Sequence, residues 1–334
     1  MPHNPLPPLL SGTLFGASLT ASSVYLPSII LSQLSLTSTH MLKTFLTASA
    51  ISAIIIYITN KLGYARLPHR TNTSYGWFGA YDANLVGGLL QGLGMALTGA
   101  CPGTVLVQVA LGMGRAGWVL VGGLLGGMGF VGLSPLVRRT SGVQSGDGAV
   151  KEHTVMQRLK VQDETAVLGY EAMLIGMIAL VDRLGLSKDG RSFWVDPVVG
   201  GMMIGVAQAS SVLLSKKTLG VSSAYSDIAG HLSSLVRGKG LSGGFGNVIF
   251  AAGVMLGAKL ASQRVPVVVE SAPAVSVGAA IFGGFCSIFG ARLAGGCTSG
   301  HGISGMSTLS VSSFVTVAGM FGGGIACKLL IDAL

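Results

Sequence analysis

Gly94-Met-Ala-Leu-Thr-Gly-Ala-Cys101 and Gly290-Ala-Arg-Leu-Ala-Gly-Gly-Cys297 are two versions of one pattern. Glycine, leucine, glycine and cysteine occupy the same four places in both, at an offset of 196 residues. The same offset pairs Gly123 with Gly319 and Gly126-Gly127 with Gly322-Gly323. Upstream, Thr20-Ala-Ser-Ser-Val-Tyr-Leu26 resembles Gln208-Ala-Ser-Ser-Val-Leu-Leu214, and Gly12 and Gly16 keep the spacing of Gly201 and Gly205. One register held across a cysteine turn and the following helix marks an internal repeat. Each cysteine ends a Gly-rich apolar stretch and is followed at once by Pro102-Gly103 or Thr298-Ser299-Gly300, which predicts a helix broken at that point.

Outward from these turns the chain is apolar. Charged residues are 10% of the sequence, against roughly 25% in soluble domains. Half the residues are hydrophobic and mean hydropathy is +0.67. Glycine supplies 52 of 334 residues, about twice the usual share of roughly 7%, as suits helices that approach closely in lipid. Apolar spans are expected at 41–60, 117–137, 245–261, 274–296 and 311–331, with Gly-rich helices at 83–100 and 198–214. Residues 9–36, broken by Gly, Ser and Pro27, read as two short helices, residues 104–113 as another, and 218–235 as a short mixed segment. The expected fold is an all-α polytopic membrane protein of two homologous halves, whose short re-entrant or broken helices meet near the midplane. Residues 1–137 form the first half, 138–195 a polar linker with a connecting helix at 165–183, and 196–334 the second half. The sequence leaves open whether the repeats are parallel or inverted.

The net charge of +9 is spread over loops flanking the spans, including Lys61–Arg70 and Arg138–Arg139. No basic stripe with interleaved aromatics argues for nucleic acid. The lipid bilayer is the expected surrounding, and a positive interior also favours an anion path. Met1 to Pro8 does not read as a signal peptide. Cys101, Cys286, Cys297 and Cys327 have no CxxC spacing and no histidine cluster beside them, so neither a disulfide framework nor a zinc site is expected. Gly300-His-Gly-Ile-Ser-Gly305 fits GxGxxG, but a membrane helix precedes it and Met320 stands where an acidic residue is needed, so the dinucleotide reading is rejected. There is no GxxxxGK[ST] either, and no cofactor is expected.

Backbone that leaves a helix inside a bilayer must line a cavity or be covered by protein. The segment after each cysteine starts with unpaired N–H groups. Gly103, Gly300 and Ser299 would let a small oxyanion approach them. A thiol is a soft, weak donor that suits a sulfur-bearing anion better than sulfate or phosphate. Most other glycines, with Cys286 and Cys327, are read as packing. Arg292 is either an intramembrane functional charge or a residue that pairs with Asp227 or Glu270 or reaches the interface. His301 either meets an anion or proton or caps the short helix. Lys216, Lys217 and Lys259 are read as interface charges.

At these residues the chain resembles the YeeE/YedE family of sulfur transporters. Gly290 through Gly305 is close to that family's most recognisable signature, Gly92–Gly103 is similar to its first cysteine motif, and Gly12–Gly16 to its short N-terminal helix. The resemblance covers most of both halves but not 138–164. It implies thiosulfate uptake, an hourglass-shaped helical fold and a path lined by Cys101 and Cys297. Where some members carry a further pathway cysteine, this chain has Ala21-Ser22-Ser23, and Ser210-Ser211 in the second half. Serine donates a hydrogen bond but forms no persulfide, so a hydrogen-bond relay is expected. The first half looks more like the half-sized members, as though two such units were joined. The leading function is transport of a small sulfur oxyanion by a protein that is not an enzyme. The alternative is a membrane sulfurtransferase that hands sulfane sulfur, as a cysteine persulfide, to a soluble acceptor protein. A non-transporting scaffold explains the glycines but not the paired cysteine turns.

Overall fold

The computed structural model describes residues 4–140, 154–185, 193–236, 244–266, 268 and 275–333. Residues 141–153 of the expected linker, and Glu270 as a partner for Arg292, lie outside them. Every regular element among the described residues is helical. In chain order these are α1 (Leu6–Ala21), α2 (Pro27–Leu34), α3 (His40–Lys61), α4 (Asp82–Thr98), α5 (Thr104–Ala110), α6 (Ala116–Thr140), α7 (Val155–Leu159), α8 (Asp163–Arg183), α9 (Pro197–Ser215), α10 (Ser222–Val236), α11 (Gly246–Ala261), α12 (Val277–Leu293), a π-helical segment (Ser299–Gly305) and α13 (Val311–Ala333).

Local chemistry sets the ends. Pro27 and Pro197 open α2 and α9 at the first helical position, where the missing N–H costs nothing. Asp196 and Ser276 cap α9 and α12 by accepting from Val198 N–H and Ala279 N–H. Gly99 ends α4 in the left-handed region at φ 61°, and Gly295 follows α12 at φ 84°. The cysteine turns thus begin where only glycine is unstrained. Among the described residues, five helices are long and apolar enough to cross a bilayer: α3, α6 (over Ala116–Ser134), α8, α9 and α13.

Small residues set how these helices pack. In the α1–α11 seam Gly12 lies on Phe250, Gly16 on Val254 and Gly257 on Thr13, and a methyl at any of the three would strike backbone. Residue numbers rise together along that seam, so the two helices are parallel. The α3–α9 seam is also parallel, with Gly201 on Thr44 and Gly205 on Ile51. So are α4–α13, with Gly88 on Thr316 and Gly92 on Met320, and α6–α12, with Gly122 on Ile281 and Gly126 on Phe285. Two central crossings run the other way. Gly87 meets Gly290 and Gly94 meets Gly283, so α4 and α12 are antiparallel. Ser22 meets Gly200 and Ser18 Oγ donates to Met203 O, so α1 and α9 are antiparallel.

α8 stands outside this packing. It lies antiparallel along α3, with Lys43–Asp182 and Lys61–Glu164 ion pairs at either end and only Tyr170 and Leu174 buried. Two elements are more regular than the sequence suggested. The polar linker contains α7, capped by Thr154 and Gln157 and tied to the chain before α13 by Val155 N–H to Leu309 O. The mixed segment 218–235 contains the helix α10, whose Ala224, Tyr225 and Ala229 are buried.

The seams generate a prediction. Gly16→Leu or Gly257→Val should cost at least the ~1–3 kcal/mol of an overpacked core and sharply reduce monodisperse protein in size-exclusion chromatography. Gly117→Ala and Gly132→Ala, which meet no neighbour within 4 Å, should leave the elution profile unchanged.

Candidate functional site: the two cysteine turns

The first turn is closed by α5. Gln108 Nε2 donates to Gly99 O at 3.0 Å and to Tyr25 O at 2.7 Å, so one amide covers two carbonyls freed by the broken backbone. Cys101 N–H donates to Thr104 Oγ1 at 2.8 Å, and both Thr104 N–H and its hydroxyl lie 3.4 Å from Cys101 Sγ. A methyl on Gly103 would make only ordinary contacts, the nearest 3.6 Å from Val221. Protein packing therefore does not demand glycine there.

The second turn is more heavily built. Gln91, from the middle of α4, donates to Thr298 Oγ1 at 2.7 Å. His301 contacts Ala294 O through Nε2 at 3.1 Å and Ser313 Oγ through Nδ1 at 2.9 Å. The carbonyl can only accept, so that network assigns the proton to Nε2. Asn84 Nδ2 also donates to Ala294 O, at 3.0 Å. Cys297 Sγ sits 3.3 Å from Ser299 Oγ, and the backbone N–H groups of Gly300, Ser222 and Val221 face it. The sulfur thus occupies the start of α10, where helix polarity favours negative charge. The stretch that fits GxGxxG forms the π-helical segment, a form frequent at functional sites.

α10 bridges the turns. Its first residues face Cys297, and Tyr225 OH, one turn on, donates to Pro102 O at 2.9 Å. The two sulfurs lie within electrostatic reach of each other. Both are enclosed, with Cys101 7% and Cys297 1% exposed. Arg292 reaches Ser223 Oγ at 3.3 Å and the Phe130 ring at 5.6 Å, with Asp227 and Cys297 near enough to act on it.

The hydroxyls of Ser22, Ser210 and Ser211 bond to carbonyls rather than to the thiols. Ser22 Oγ donates to Leu19 O, and its carbonyl contacts His40 Nε2. Ser23 takes the left-handed region at φ 60°. Ser210 and Ser211 donate to Ala207 O and Lys217 O, each at 2.8 Å. The three hydroxyls of Ser22, Ser210 and Ser211 thus satisfy carbonyls in or just beyond the last turns of α1 and α9.

One residue at the site was placed by the sequence only in a basic loop. Arg70 Nη1 donates to Gly295 O at 2.9 Å. It joins His69, His301, Lys216 and Lys217 in lining a cavity of about 410 Å³ beside the second turn. No spacing signals this, because 225 residues separate the two bonded positions. Lys216 and Lys217, read as interface charges, share that cavity.

Two enclosed thiols at broken helices, within a bundle of apolar helices, define the class: an integral, multi-pass membrane protein of the transporter kind. Residues 21–326 match the Sulphur transport family, and the chain belongs to it. It is similar to a protein of Xylella fastidiosa strain Temecula1 named "Probable transporter", 31% identical over 132 residues that make up 38% of this chain and 85% of the relative. A counterpart of the same name in strain 9a5c is 30% identical over the same shares. Those relatives are therefore less than half as long as this chain.

Tyr225→Phe should leave Pro102 O without a donor in a buried site, at a cost of about 1–3 kcal/mol, read as a lower thermal midpoint in detergent. Tyr64→Phe, which removes a more exposed hydroxyl bonded to Leu213 O, should shift the midpoint less.

Proposed function

We propose that this transporter carries thiosulfate, or a related small sulfur-containing anion, along a path that passes Cys297 and Cys101. The observation that carries the reading is the surrounding of Cys297 Sγ, faced by three backbone N–H groups and a serine hydroxyl. Such a pocket suits a terminal sulfur bearing partial negative charge, and the thiol can donate S–H to it. Ser299, Gly300 and His301 shape that station, Gly103 opens the one at Cys101, and Arg292 adds positive charge near Cys297. Ser22, Ser23, Ser210 and Ser211 would serve where the path leaves α1 and α9. Passage fits better than covalent transfer, because a soluble acceptor protein could not reach sulfurs so enclosed.

We also infer that the path is built between two inverted repeats, 1–137 and 196–334, joined by 138–195. The packing is reciprocal: α1 on α11 matches α9 on α3, and α4 on α13 matches α12 on α6. Corresponding helices α4 and α12 cross antiparallel, as do α1 and α9. An axis lying in the membrane plane relates helices in that manner, whereas an axis along the membrane normal would make them run the same way. The half-length relatives agree with a chain made by joining two units.

Radiolabelled thiosulfate uptake into a transport-deficient host tests this. Cys297→Ala and Cys101→Ala should each abolish uptake while the protein still inserts, and Cys327→Ala should change it little. Normal uptake by Cys297→Ala would remove that thiol from the path. Intact-protein mass spectrometry after thiosulfate exposure should find no stoichiometric persulfide; finding one on Cys101 or Cys297 would favour the sulfurtransferase.

A further inference from the structure

The loop between α3 and α4 brings a guanidinium to the second cysteine turn, and among the described residues no carboxylate pairs with it. A methyl on Gly296 would fall 2.7 Å from Arg70 Nη1, and one on Gly300 would fall 2.9 Å from Nη2. Both positions must be glycine for the side chain to lie where it does. Among the described residues no carboxylate forms an ion pair with Arg70. The ionisable groups that face it are Cys297, Arg292 and His301. One bond to a carbonyl uses a small part of a fork of five donors.

The loop holds this charge firmly. Arg70 N–H donates to Ser310 Oγ at 2.9 Å, and Arg70 O accepts from Ser312 Oγ at 3.1 Å. His69 Nδ1 contacts Thr308 O at 3.1 Å, and Thr73 N–H donates to Asn84 Oδ1 at 2.7 Å. The guanidinium is thus prepositioned in the lining of a cavity that Lys216 and Lys217 share, the Lys216 ammonium resting 5.2 Å from the Tyr64 ring centre. A half-buried guanidinium with Arg292 within reach, and no carboxylate paired to it among the described residues, is costly unless an anion joins it.

We propose that Arg70, with Lys216 and Lys217, forms an anion-binding site at the mouth of the Cys297 turn, and that it selects small tetrahedral dianions by charge before the thiol reads their sulfur. The identity of the transported dianion rests on the function proposed above; the site itself does not. Sulfate, which has the charge and shape but no terminal sulfur, should occupy the mouth and go no further, so it should compete with thiosulfate for entry.

The test uses the full-length protein in detergent, with thermal midpoints measured in sodium thiosulfate, sodium sulfate or sodium chloride at constant ionic strength. Both dianions should raise the wild-type midpoint above that in chloride. Arg70→Gln should lose this shift, Arg70→Lys should keep part of it, and Cys297→Ala should keep it whole. In cells, Arg70→Gln should raise the KM for thiosulfate about tenfold or more, with a smaller change in maximal rate, and should weaken inhibition by sulfate. If Arg70→Gln folds poorly, Lys217→Gln, on an exposed side chain lining the same cavity, should raise the KM in the same direction by a smaller factor. A wild-type protein stabilised by neither dianion overturns the site. So does Arg70→Gln with wild-type stabilisation and KM, and in that case transport stands. Arg70-dependent stabilisation by dianions in a protein that takes up no thiosulfate supports the site and overturns the transport reading.

Discussion

A helix that stops inside a bilayer exposes peptide groups that lipid cannot bond. Much of this structure serves to cover two such stops. At the first, one neutral side chain suffices: Gln108 reaches back from α5 to Gly99 O and Tyr25 O. At the second, Asn84 and His301 share Ala294 O, Arg70 takes Gly295 O, and Gln91 holds Thr298. Ser304, which stands at the same offset from Cys297 as Gln108 does from Cys101, donates to Leu219 O ahead of α10. Gln108 does the same for Tyr25 O ahead of α2, so corresponding positions hold corresponding turns with different chemistry.

That covering is possible only because the helices come very close. Lipid is as apolar as leucine, so burial gives little net drive for helices to associate within it, and backbone contact must supply the cohesion. The crossing of α4 with α12 illustrates this. Gly87 faces Gly290 and Gly94 faces Gly283, and a methyl on Gly87 would lie 2.5 Å from Gly290 O. Larger residues there would part the helices and draw Gln91 away from Thr298. The glycines that read as packing in the sequence therefore also position the polar network.

Helix type, the two breaks and their offset were legible because they rest on local signals: apolar length, Pro and Gly at the stops, and a repeated cysteine motif. The spans at 41–60 and 311–331 lie within α3 and α13, and the short pieces before residue 36 are α1 and α2. Direction was not legible, because relative orientation lives in which glycine meets which, as Gly94 meets Gly283. The regularity of α10 was masked by its serines, although it is α10 that aims backbone donors at Cys297. Arg70 was visible only as one more loop charge, since a contact across 225 residues leaves no trace in spacing. His301 had two readings, and its bonds to Ala294 O and Ser313 Oγ give it a share in holding the turn.

The contrast between the turns bears on how an anion could move. A path must bind its ligand well enough to admit it and weakly enough to release it. On the proposed route the strong element is charge, concentrated in Arg70, Lys216 and Lys217 at one end. Apart from Arg292, the interior offers thiols, a tyrosine and backbone N–H groups, each a modest donor. Cys101 has Thr104 for company, and among the described residues no cation bonds to its turn as Arg70 does to the second. An anion travelling between the turns would exchange one strong partner for several weak ones, so no interior station holds it deeply. Thiols fit that role: S–H is a poor enough donor to let go, yet soft enough to favour sulfur over oxygen. The two turns could then differ in function through the loop that covers each, and Arg70 marks that difference at the second.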